Sequence, residues 1–273
     1  MMKSIITAGP HSRWVTTQSL WHHRELLYFL IVRDLKIRYK QTIIGIGWAI
    51  AQPLLSLVVL IFVFGTIAKI TTDGVPYPVF VSSGFLLWNF FARSISAAAE
   101  SITSNQLLIR NVAFPRIILP WVTVVVNIVD FLSAFTILIF LMAYFHINFN
   151  LFGLFTLAYS FLMMVLFSAG IGSLLALFNT LYRDIRFLIP YALQLLLFVS
   201  PIIYPSSLVA KPYMFMIWFN PLAIFTDFVR LGMFGSGSVT VQMMMVASTI
   251  SIGMFFLGFE VMRNFEKTFT DTI

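Results

Sequence analysis

Four cationic side chains, Arg33, Lys36, Arg38 and Lys40, fall within eight residues at the edge of a long apolar segment. A guanidinium can form paired hydrogen bonds to phosphate oxygens, and an ammonium adds a point charge. One chemistry open to this stretch is recognition of a phosphate-bearing headgroup. The other is anchoring: cytoplasmic cations set topology and attract anionic lipid, at about 1 kcal/mol each. The residues alone leave both open. Catalysis has little to work with. The ten acids are scattered, with no DxD, no paired carboxylates and no HExxH, whereas acid–base or metal chemistry needs such groups clustered. Cysteine is absent, which excludes disulfides, thiolate metal sites and cysteine nucleophiles. His22 and His23 are adjacent, about 100° apart on a helix, and do not form a metal pair.

Further polar groups lie inside apolar segments: Arg93, Glu100, Asn127, Asp130 and Gln194. Such groups face a bundle interior or water. Arg93 and Glu100 share a helix face, and so do Asn127 and Asp130. A buried hydrogen bond would neutralise Asp130. On the segment before the first span, Arg33, Lys36 and Lys40 share a face, while Arg38 falls toward the apolar side.

These residues must be positioned by membrane-embedded elements. The 273 residues are 60% hydrophobic and 10% charged, with mean hydropathy +0.95; a soluble domain carries about 25% charged residues. Apolar stretches near the roughly 20 residues needed to cross a bilayer occur at 43–68, 79–99, 117–145, 151–178, 188–204 and 239–262. The expected fold is an all-α integral membrane protein with six transmembrane helices in a single domain. Thirteen of the 17 Lys and Arg residues fall before span one, between spans two and three, between four and five, and after six. The positive-inside rule places both termini in the cytoplasm. The net charge of +7 thus tracks a membrane and not nucleic acid. No secretory signal is expected, because the first apolar segment is too long.

Residues 19–40 mix charge and apolar groups too finely to cross lipid and predict an amphipathic interface helix, with Leu20, Leu27, Ile31 and Leu35 on one face. Residues 205–237 are interrupted by Pro212, Asn220-Pro221, Asp227 and Arg230. They predict short re-entrant outer helices between spans five and six, tolerated only where the backbone is covered by protein or lines water.

The ordered set Arg33-Asp34-Leu35-Lys36-x-Arg38-Tyr39, Gly45, Trp48-Ala49 and Gln52-Pro53 resembles the start of the membrane subunit of ABC-2-type polysaccharide exporters. The likeness continues through Ser83-Gly84, Trp88, Asn105-Gln106-x-Leu108-Ile109, Phe114-Pro115-Arg116 and Tyr182-Arg183-Asp184. It ends with Ser200-Pro201-Ile202-Ile203-Tyr204, Asn220-Pro221 and Arg230. That family exports O-antigen, capsular polysaccharide or teichoic acid across the inner membrane of bacteria. The resemblance implies a homodimeric channel for a polyprenyl-diphosphate-linked glycan, driven by two copies of a separate ATPase that holds the ATP and Mg. No cofactor is expected on this chain, which has no GxxxxGK[ST] loop.

The resemblance also assigns residues 101–113 to a cytoplasmic coupling helix. Its ATPase contact would comprise Ser104, Asn105, Gln106, Leu108, Ile109, Arg110, Phe114 and Arg116, with Pro115 stopping the helix. Trp48, Gln52, Phe85, Trp88, Phe91, Arg93 and Tyr204 are channel candidates, since aromatic faces pack against sugar rings. Two alternatives stay open: an ABC-2 exporter of drugs or simple lipids, and, less in keeping with the scattered acids, a polyprenyl-phosphate enzyme.

Overall fold

The structure is a computed structural model and describes residues 23–40, 47–148, 150–182 and 184–269. Leu20, Gly45 and Arg183, and the side chain of Lys40, lie outside the described residues. Helix α1 is Arg24–Lys40 and α2 is Gly47–Leu60, continued by a π-helical run at Ile61–Ile67; α3 is Tyr77–Ser104 and α4 Gln106–Asn111. Then follow α5 (Ile118–Tyr144), α6 (Leu151–Leu181), α7 (Ile185–Val199), α8 (Met214–Trp218), α9 (Pro221–Phe234) and α10 (Val241–Phe269).

Helix α3 is the centre of the bundle. It packs on α5 and α6 and also meets α9, while α6 carries α10 and α9 on its other sides. Buried Val79, Val81, Leu86, Leu87 and Phe90 on α3 form one core with Leu138 of α5, Met164 of α6 and Phe225 of α9. The periphery differs. The most apolar window of α5 is 44% buried and that of α6 50%, against 11% for the α2 segment and 17% for α10. Only Ala49, Pro53 and Leu57 of α2 are buried, one narrow stripe at i, i+4, i+8. The rest of that helix presents apolar surface outward, as lipid or a second subunit requires.

Four helices are long and apolar enough to cross a membrane, or five if the pair around Asn220 is one bent span. The expected count of six is therefore supported only in part, for two physical reasons. Helix α3 carries Arg93 and Glu100 along with several serines; its polarity is tolerable because its environment is protein. Helix α7 has 15 residues, about 22 Å at 1.5 Å per residue, shorter than a hydrocarbon core of about 30 Å.

The outer segment forms 3-10 turns at Ser206–Leu208 and Lys211–Tyr213, then α8 and α9, which meet at 96°. Two short helices are thus present where the sequence reading put them. Asn220 caps α9 by accepting from Leu222 N at 3.1 Å, and Pro221 occupies its first turn. Gly235, at φ +70°, closes α9 in the left-handed region that favours glycine.

The segment expected to form the coupling helix, residues 101–113, is divided between elements. Residues 101–104 belong to the end of α3, and the chain breaks at Asn105 before the six-residue α4. The serines allow this extension by satisfying themselves within the helix: Ser101 Oγ donates to Ala98 O at 2.7 Å and Ser104 Oγ to Glu100 O at 2.8 Å. Helix α4 ends at Asn111, with Val112 already extended, so it stops before Pro115 rather than at it.

Candidate functional site

Two arginines and a tyrosine, from α1 and α3, converge on Asp130. Its carboxylate sits on α5 and its side chain is 2% exposed. Arg38 Nη1 donates to Oδ2 at 2.7 Å, Arg93 Nη1 to the same oxygen at 3.2 Å, and Tyr39 OH to Oδ1 at 2.7 Å. Arg38 Nη1 also donates to Asn127 Oδ1 at 3.0 Å, one turn earlier on α5. Arg93 is spread further: its Nη2 reaches Gln52 Oε1 on α2 at 2.7 Å and its Nε reaches Asn89 Oδ1 at 3.1 Å. The cluster thus ties α1, α2, α3 and α5 together.

The local sequence explains this convergence. Asn127 and Asp130 are three apart, so α5 offers both from one face. Arg38 projects toward the protein because it lies off the solvent face of α1, whose Leu30 is fully buried against Ile117, Ile118 and Met262. Asp130 is therefore an ion-pair partner, and not a carboxyl neutralised by a hydrogen bond as the sequence suggested. Two arginines against one carboxylate leave the cluster with a net charge of +1. Tyr39 is pushed up to about 12, first by burial and then by its hydrogen bond to Asp130.

A cavity of about 260 Å³ opens beside the cluster, lined by Arg38, Tyr39, Trp48, Ala49, Gln52, Arg93 and Asp130. Trp48, Gln52 and Arg93, three of the expected channel residues, meet here. Phe85, Trp88 and Phe91 do not line it. They are buried at the centre of this single chain, where Phe91 stacks on Phe167 with centroids 5.6 Å apart. Tyr204 is distant in role, since its hydroxyl folds back to Phe198 O at 2.9 Å at the end of α7.

Of the four cations of this stretch, the three whose side chains are described, Arg33, Lys36 and Arg38, face different ways. Arg33 turns the other way: Nη2 donates to Asn105 Oδ1 at 2.9 Å, and Asp34 pairs with it at 2.8 Å. Lys36 is exposed. The expected ATPase contact is likewise divided. Ser104, Gln106 and Arg110 are exposed, whereas Leu108, Ile109 and Phe114 pack inward beside Leu30. Leu107, which the sequence reading passed over, is 77% exposed. Arg116 offers its amide hydrogen to Glu266 of α10.

A second polar cluster lies at the opposite end. Arg230 on α9 is 1% exposed and donates to Pro201 O and Ile202 O at 2.7 Å each, with Phe80 O and Asp227 Oδ1 at 3.4 Å. Its guanidinium stands 3.6 Å from the centroid of the Phe80 ring, a cation–π contact. This arrangement staples the outer segment to α3. Among the described residues no group of His, Cys, Asp and Glu could hold a metal ion.

Among the described residues the fold is all-helical, with four or five helices long and apolar enough to cross a membrane and a cationic cluster where α1 meets α5, which defines the class as a helical membrane protein. The chain belongs to the ABC-2 type transporter family, whose model matches residues 25–234. It is 27% identical to an O-antigen export system permease protein RfbA of Klebsiella pneumoniae over 73% of this chain and 76% of that protein. Its identity to RfbA of Myxococcus xanthus is 29%, over 70% of this chain and 72% of the relative. The polysialic acid transport protein KpsM of Escherichia coli is 22% identical, over 74% and 78% respectively.

Proposed function

We propose that this chain is the membrane subunit of an exporter that moves a polyprenyl-diphosphate-linked polysaccharide across the bacterial inner membrane. Two copies form the conduit, and two copies of a separate ATPase supply the energy from the cytoplasm. Both termini lie on that side. The observation that carries the reading is the convergence of Arg38 and Arg93 on a cavity beside the interface helix. Arg93 is eleven residues from Ser104, about 16 Å along α3 from its cytoplasmic end. That depth suits a headgroup entering from the inner leaflet, and a simple apolar drug would have no use for paired guanidinium groups. The export functions named for the relatives support the same substrate class. Coupling to the ATPase is assigned to α4 and its flanks, where Ser104, Gln106, Leu107 and Arg110 are outward-facing.

The test is genetic and biochemical together. Deleting the gene should abolish surface polysaccharide and leave lipid-linked glycan inside the cell, and co-expression with the cognate ATPase should give a complex with two copies of each subunit. Unchanged surface polysaccharide in the deletion strain would refute the reading.

A further inference from the structure

The cluster has more hydrogen-bond donors than acceptors. Arg38 engages Asp130 and Asn127 through Nη1 only, and Arg93 gives Asp130 Nη1 only. Neither arginine makes the two-pronged contact its planar fork permits. Asn127 is fully buried and its Nδ2 has no partner, although Oδ1 is pinned by Arg38, so rotating the amide would sacrifice that bond. A buried donor without an acceptor costs about 1–3 kcal/mol. The side chains of Arg38 and Arg93 keep 33% and 30% of their surface exposed, and both line the cavity. At about 260 Å³ that cavity is below the roughly 300–1,000 Å³ of pockets for drug-sized ligands. It suits a headgroup and not a sugar chain.

We infer that Arg38 and Arg93 form a diphosphate seat that Asp130 occupies as an internal anion while the seat is empty. The incoming diphosphate takes over the two guanidinium forks, and Asp130 retains Tyr39. This inference rests on the proposed export function and narrows its headgroup site to two arginines on different elements. Arg33 is outside the seat because it is committed to Asn105. Carboxylate and phosphate compete for the same donors, so Asp130 lowers affinity for the ligand and, by the same exchange, lets the ligand leave. A carrier that must release its cargo requires binding of this limited strength.

The experiment uses the full chain assembled with its ATPase in phosphatidylethanolamine nanodiscs, with farnesyl diphosphate and inorganic pyrophosphate as probes. Asp130→Asn should bind farnesyl diphosphate about tenfold more tightly than wild type, because a neighbouring negative charge is gone. Asp130→Glu should restore the wild-type value. Arg38→Lys and Arg93→Lys, which keep charge but lose the fork, should each bind about tenfold more weakly. Asn127→Asp places a second carboxylate beside Arg38 and should also weaken binding; it and the lysine variants decide the matter if Asp130→Asn fails to fold.

Unchanged or weaker binding in a folded Asp130→Asn complex would overturn the inference, because a purely structural Asp130 predicts that result. So would lysine variants that bind normally. Inorganic pyrophosphate should bind more weakly than the lipid form; equal affinity would point to a soluble anion and overturn the lipid-headgroup assignment. Displacement of the probe by nanodiscs containing phosphatidylglycerol would do so in favour of bulk lipid. If these binding arms fail while the deletion strain still loses its surface polysaccharide, the seat is wrong and the export function stands.

Discussion

Arg230 offers a quantitative test of what holds the outer segment. Replacing it with alanine removes two charge-assisted bonds of 2.7 Å to Pro201 O and Ile202 O and the cation–π contact with Phe80. At about 1.5–3 kcal/mol for each hydrogen bond to a charged group, the loss is about 3–6 kcal/mol. Asp227→Asn is different. The contact it weakens is the long one, 3.4 Å, and the guanidinium keeps both carbonyls and the ring. Asparagine can also keep the hydrogen bond from Ser206. A cost of about 1–2 kcal/mol follows, below the roughly 3–5 kcal/mol usual for breaking a buried pair. Arg230→Lys should fall between, because one ammonium cannot bridge two carbonyls in the geometry of the fork. The assay is reversible unfolding of the purified full chain in mixed detergent, followed by tryptophan fluorescence. Release of the outer segment is read separately as faster labelling of a cysteine placed at Ser207, which is exposed and paired with Asp73. If Asp227→Asn destabilises as much as Arg230→Ala, the carbonyl staple is not what matters and the reasoning fails.

Three other outcomes are expected. Single cysteines introduced at Ser104, Asn148 and Ser207 should react with an impermeant thiol reagent only at the latter two in spheroplasts, and labelling of Ser104 would reverse the assigned orientation. Gly170→Ala should destabilise by about 1–3 kcal/mol, since its Cβ would stand 2.3 Å from Met254 O; an unchanged unfolding midpoint would disprove the tight α6–α10 crossing. Leu107→Asp should reduce co-purification of the ATPase by at least about tenfold with the bundle still folded, whereas a normal yield of complex would remove Leu107 from the docking surface.

Much of the fold was legible because lipid imposes a simple rule on composition. The long apolar runs of α2, α5, α6 and α10 announce themselves, and Asn220-Pro221 marks the break before α9. Helix α3 was legible as a span only from its apolar middle. Its last turn reads as polar loop until the serines are seen to bond to their own helix. The site was half legible. Spacing alone put Arg38 off the charged face of α1 and put Asn127 beside Asp130. The partnership of Arg38, Arg93 and Asp130 was not, because those residues are 37 and 55 positions apart in pairs and no local periodicity links them. Leu107 was missed for a related reason: in a six-residue helix, which apolar side chain faces inward depends on what covers it. Here Leu108 and Ile109 pack against the second apolar core.

Helix α1 gives this arrangement its mechanical sense. Arg38 grips the Asp130 cluster near the cavity, and Arg33, five residues earlier, holds Asn105 at the break between α3 and α4. Five residues of helix are about 7.5 Å, a span too short to flex without breaking backbone bonds. Between the two arginines Leu35 packs against the second apolar core, and Leu30, just beyond Arg33, is fully buried there. Arg38 and the partner of Asn105, Arg33, thus share one continuous helix, and Asn105 Nδ2 in turn donates to Ser101 O at 2.8 Å. The cationic stretch is thus two functional contacts facing different ways on one helix. Its closely spaced charges reach both the cavity lined by Asp130 and the α3–α4 break at Asn105.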